Sequence, residues 1–172
     1  EFRRVLFRSN AINPTSSGYQ NGGNWFGILS AVYAISAVLW SLVLSKIPAG
    51  KNKLGYALSL FLGAIGFVSV FFIHSQYALI GSFVLIGVSW AGMMAYPFIM
   101  VTNALPGDHM GTYLGLFNGS ICLPQIVASV ASFAIFPALG SHFPTMILVS
   151  GCLMLLGALS VGFIKEAQHN IN

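Results

Sequence analysis

Long uncharged apolar stretches alternate along the chain with short polar connections, a pattern that predicts membrane-crossing helices. Residues 24–45, 54–73, 77–105 and 111–164 contain no Asp, Glu, Lys or Arg. About 20 apolar residues cross the hydrocarbon core as an α-helix, so each of the first three stretches holds one span. The fourth divides at the Pro-, Gly- and His-containing segment 137–144 and holds two. The expected spans are about residues 25–45, 54–73, 77–101, 111–135 and 143–164.

The connections carry the topology. Residues 10–24, reading NAINPTSSGYQNGGN, are too polar to cross a membrane and read as an external loop. Trp25 then anchors the first span at the headgroup boundary. Residues 46–53 form a basic turn with Lys46, Lys51 and Lys53, and the brief His74-Ser75-Gln76 link makes the second and third spans antiparallel neighbours. Asp108 is expected to cap the fourth span, its carboxylate accepting from first-turn amides. A tail, 165–172, carries Lys165 and Glu166. Five crossings put this tail and the 46–53 turn on one side, and the positive-inside rule makes that side cytoplasmic.

Composition agrees with this pattern: 56% of residues are hydrophobic and 6% charged, far from a soluble domain. The expected fold is therefore all-α and polytopic, with residues 25–164 forming the five-helix body. The net charge of +4 owes much to Arg3, Arg4 and Arg8. They lie in EFRRVLFRS, residues 1–9, which resembles a translated cloning or adapter sequence, since GAATTC encodes Glu1-Phe2. Without it, four lysines stand against Asp108 and Glu166, and no electrostatic footprint for nucleic acid remains. Cys122 and Cys152 fall inside spans without paired spacing and read as free buried thiols. The four histidines sit on separate connections or in the tail, so neither a metal site nor a cofactor is expected.

Polar residues concentrate in the tract 89–129, which sets Trp90, Tyr96, Asn103, Asn118 and Gln125 among apolar neighbours. Amides and indoles in hydrocarbon need partners, so these five are the candidate lining of a solute pathway. On the fourth span, Gly111, Gly115, Asn118, Cys122, Gln125, Ser129 and Ser132 recur at helical spacing on one face. Its glycines suit close helix packing, whereas two large amides suit a ligand. Pro124 and Pro97 each remove a helix hydrogen bond, freeing the carbonyls of Ser120 and Met93, and are candidate kinks for gating. Gly55, Ser59, Gly63 and Gly66 on the second span read as a packing stripe, as do Gly27, Ser30, Ala34, Ala37 and Ser41 on the first. Tyr33 and Trp40 suit either a cavity or the lipid. Neutral amides with aromatic faces match sugar hydroxyls and pyranose rings, and no span carries the Arg or Lys that a carboxylate substrate would require.

SWAGMMAYPFIMVTNALP followed by GTYLGLFNGSICLPQIVAS resembles the later helices of sucrose/proton symporters and related glycoside transporters of the major facilitator superfamily. The family hallmark, an Asn followed by Pro-Gln on the eleventh helix, is matched by Asn118, Pro124 and Gln125, and a tenth-helix Pro by Pro97. The resemblance implies that the five spans are helices eight to twelve of a twelve-helix transporter, a fragment whose N-terminal half lies elsewhere. It implies sugar as substrate, a proton as coupling ion and a cell membrane, such as a bacterial inner membrane, as location. Two departures stand out: the 46–53 turn lacks the family's acidic residue, and no span holds a carboxylate. The coupling acid is therefore expected in the other half.

Three alternatives stay open: a transporter of the same superfamily for another neutral solute, a self-contained membrane packing or assembly subunit, and an intramembrane enzyme. The last lacks paired carboxylates, a Ser/His or Cys/His constellation and metal-ligand spacing, so no enzymatic activity is expected.

Overall fold

The computed structural model describes residues 17–104, 109–140 and 142–164. They form five α-helices: α1 (Ser17–Leu44), α2 (Asn52–Phe72), α3 (Ala78–Ala104), α4 (Met110–Ala138) and α5 (Phe143–Ser160). Single 3₁₀ turns at Ala49–Lys51 and Val161–Phe163 precede α2 and follow α5. Five helices are long and apolar enough to cross a membrane. The chain is thus an all-α, polytopic, membrane-embedded protein, as the hydropathy pattern predicts.

Helix ends depart from expectation in three places, one being α3, which continues to Ala104 rather than ending near residue 101 and so takes in Asn103. α1 starts at Ser17 rather than near Trp25, so residues 17–24 are helix and not loop. A spanning helix that is already nucleated gains one hydrogen bond per added residue as it extends into the headgroup region. α4 runs through Pro137 to Ala138, because a proline there removes only its own N–H. It stops at Gly140, whose φ of 74° suits glycine and whose N–H donates to the Pro137 carbonyl at 2.9 Å. His109 flanks the start of α4 at φ 66°. The expected cap, Asp108, lies outside the described residues, as do the 1–9 segment, residues 10–16 and the 165–172 tail.

Lipid offers no hydrophobic drive for helix association, so close approach decides which helices pair. α2 and α3 meet along small residues in antiparallel register. Any side chain placed at Gly55 would collide with the Tyr96 hydroxyl, at Gly63 with Ser89, and at Gly92 with Ser59. Farther along, Ser69 and Ser82 exchange a hydroxyl bond of 2.7 Å. The second-span stripe is therefore a packing stripe. α1 lies on another face of α3, where Gly87 touches the Tyr33 carbonyl and the Ser36 hydroxyl, and α5 lies on α2, where Gly151 meets Phe67 and Val68. The helices are ordered α1, α3, α2, α5.

The α1 stripe requires correction. Gly22, Leu29, Ser36 and Leu44 are buried on α1; of the expected stripe Ser30 and Ala37 are partly buried, as are Tyr33 and Trp40, while Gly27, Ala34 and Ser41 are exposed. The close approach to α3 is made at Gly87, against the backbone of Tyr33 and Ala37, so the glycine that permits it belongs to α3 and not to the α1 stripe. Trp40 reaches past α3, and its indole N–H donates to the Ser59 hydroxyl at 3.0 Å. Ser59, fully buried, donates in turn to the Gly55 carbonyl at 2.8 Å. Many of the other span serines return their hydroxyl protons to their own helix, as Ser41 does to Val38 and Ser129 to Gln125. A hydroxyl in hydrocarbon has no water to donate to, so the carbonyl a turn earlier takes the bond.

Lys53 closes one end of the bundle. Its ammonium donates to the Gly162 and Ile164 carbonyls at 2.5 and 2.8 Å, a cation at the end of α5 where the helix dipole favours one. The basic turn and the end of α5 therefore share one side.

Gly63→Leu and Gly92→Leu should each destabilise the bundle by about 1–3 kcal/mol through overpacking. Gly81→Ala, which meets nothing, should leave the melting temperature in detergent unchanged or raise it. Thermal unfolding of the three variants is the check.

Candidate functional site

The row of helices curves, so that α1 and α5 stand on either side of a cleft floored by α2 and α3. The cleft holds about 770 Å³, within the range of about 300–1,000 Å³ usual for small-molecule sites. Trp90 and Tyr33 form one wall, their rings tilted by 55° with centroids 6.3 Å apart. Leu153 and Met154 of α5 form the facing wall, above Leu60 and Phe67.

Polar groups in this lining are all neutral. Tyr33, Tyr56, Ser89, Ser150 and Ser160 contribute hydroxyls among apolar side chains, and among the described residues no Lys, Arg, Asp or Glu lines the cleft. Ser150 and Ser160 donate to their own helix, to the Met146 and Gly157 carbonyls, leaving oxygen lone pairs for a ligand donor. Ser89 is different. Its hydroxyl, at the cleft floor, approaches only the thioethers of Met154 and Met93, at 3.6 and 3.9 Å. Sulfur is a weak acceptor, and the serine itself is 1% exposed, lodged in the notch at Gly63. The cleft can therefore hold a ring on its aromatic wall and exchange hydrogen bonds with hydroxyls, without attracting formal charge.

The five candidate pathway residues do not converge. Trp90 lines the cleft at 45% exposure. Tyr96, one helical face away, is 1% exposed and packs over Gly55, its ring centroid 6.0 Å from that of Tyr56. Its hydroxyl has no hydrogen-bond partner among the described residues. Asn103 is exposed on the last turn of α3. Asn118 and Gln125 are exposed on α4, none of whose residues is buried. The glycines expected to pack there, Gly111, Gly115 and Gly119, meet nothing within 4 Å. Pro97 and Pro124 both lie inside continuous helices. Cys122 and Cys152, read as buried thiols, are exposed on the helix surfaces.

Sequence reasoning singled out Trp90 and left Tyr33 open, but passed over Tyr56, Ser89 and the α5 residues. A signal was present: Ser150, Leu153, Met154 and Gly157 follow the i, i+3, i+4, i+7 spacing of one helix face. In a uniformly apolar span that spacing has no polar contrast to reveal it.

Tyr96→Phe removes a buried hydroxyl that bonds to none of the described residues, so stability should stay the same or rise by up to about 1–3 kcal/mol. Tyr96→Ala should cost about 3–5 kcal/mol through the cavity it leaves against Gly55. Chemical unfolding in mixed micelles separates the two outcomes.

No protein-family model, curated protein or solved structure matches the chain.

Proposed function

We propose that the chain forms part of a secondary transporter for a neutral, ring-bearing solute, a glycoside or disaccharide of the sucrose or maltose kind. The observation that carries this reading is the uncharged, aromatic-walled cleft inside a membrane-embedded bundle. A pyranose ring offers C–H faces to Trp90 and Tyr33, and its hydroxyls can donate to the oxygens of the exposed Ser150 and Ser160.

The exposed amides of α4 support a partner. Asn118 and Gln125 facing hydrocarbon would each leave an amide unsatisfied, at a cost of several kcal/mol by roughly the water-to-alkane scale. In this proposal the other half of the transporter covers α4, completes the pathway there and supplies the carboxylate for proton coupling. Rocking between the halves gives alternating access, with Pro97 and Pro124 as flexible points. By the positive-inside rule, the excess of lysine at the Lys53 end supports a cytoplasmic location for that side, which the end of α5 shares, in a membrane such as a bacterial inner membrane.

A second reading, a membrane assembly subunit, draws on the open glycine series of α4, which suits docking on another helix. Transport separates the two. In the transporter that contains this chain, Trp90→Ala should raise the KM for glycoside uptake about tenfold, equivalent to roughly 1.4 kcal/mol of lost binding. Asn118→Ala and Gln125→Ala should raise it as well. An unchanged KM in all three variants would remove the cleft and α4 from the pathway and leave the assembly reading.

A further inference from the structure

A second pocket lies at the Lys53 end of the bundle, in the groove between α2 and α5, and holds about 450 Å³. Its mouth carries Lys51 and Lys53, and its body is formed by Leu54, Ala57, Ala158 and Leu159. Leu54 and Leu159 are both about two-thirds exposed, so the apolar part opens sideways toward lipid while the ammonium groups mark the headgroup level. Lys53 is held by the Gly162 and Ile164 carbonyls. Lys51 stands exposed on the 3₁₀ turn just before α2. Asp and Glu are absent from the described residues, so no carboxylate among them offsets the charge of Lys51.

This division, cationic at the membrane boundary and aliphatic below it, is the shape of one lipid molecule. We propose that the α2/α5 groove binds an anionic phospholipid from the bilayer, its phosphate at Lys51 and Lys53 and one acyl chain along Leu54 and Leu159. Charge complementarity selects anionic headgroups over zwitterionic ones, and the exposed aliphatic lining of Leu54 and Leu159 selects a lipid over a free phosphate. A lipid seated there would also bridge the start of α2 to the end of α5, reinforcing the link that Lys53 makes.

The test is native mass spectrometry of the full chain, released from micelles containing equal amounts of phosphatidylglycerol and phosphatidylcholine. One phosphatidylglycerol should be retained in preference to phosphatidylcholine. Lys51→Gln should weaken that retention about fivefold, the effect of one lysine near an anionic surface. Lys46→Gln removes the same charge from the same turn but outside the pocket, and should leave retention unchanged. Gly162→Leu, at a position with open space around it, should block the groove and abolish retention without disturbing thermal stability. Three results would each overturn the proposal: equal retention of the two lipids, equal loss in Lys46→Gln and Lys51→Gln, or displacement of the lipid by inorganic phosphate alone.

Discussion

Close approach of α2 and α3 is the constraint on which the rest of the bundle depends. Between lipid-exposed helices, neither charge nor the hydrophobic effect supplies an attraction, and packing at short range must do so. Gly55, Gly63 and Gly92 let the two backbones come near enough for side chains of one helix to rest on the main chain of the other. That proximity buries Ser59 and Ser89 and brings Trp40 of α1 within hydrogen-bond reach of Ser59. α1 and α5 then dock on the two outer faces of the pair, and the cleft is the space left between them.

The same constraint explains the chemistry of the cleft. Because α2 and α3 use their smallest residues on each other, their larger ones, Phe67, Trp90 and Met93, are left to line the floor and wall. Ser89 sits where the two roles meet: it fills the notch at Gly63 and offers its hydroxyl toward thioethers. A neutral cleft in a membrane bundle follows from helices whose one charged residue, Lys53, sits in the first turn of α2 and turns to the end of α5. Its aromatic wall follows from the register that puts Tyr33 of α1 beside Trp90 of α3.

Glycine spacing had different outcomes on two helices. The α2 series was legible from sequence and lies against α3. The α4 series, with the same spacing, meets no neighbour among the described residues. Small residues at helical intervals permit close approach, but they do not specify a partner. Tyr96 shows the converse. A tyrosine in a polar-looking tract suggested a pathway, yet the absence of a side chain at Gly55 gives its ring a niche in the helix interface. On α1, composition alone could not identify the inward face, because apolar residues surround the helix and contrast is lost.

The sequence by itself determined that the fold is all-α, that the described residues hold five helices long and apolar enough to cross a membrane, roughly where each lies, and that the predicted spans carry no charge. These properties depend on hydropathy summed over about 20 residues, which needs no knowledge of neighbours. Tertiary structure alone decided which residues share a space. Trp90 joins Tyr33 and Ser89 in a cleft, Tyr96 is buried against Gly55, and Asn118 and Gln125 remain apart on α4. Those outcomes depend on helix rotation and pairing, set by sub-ångström fit between backbones, and a uniformly apolar sequence carries little record of either.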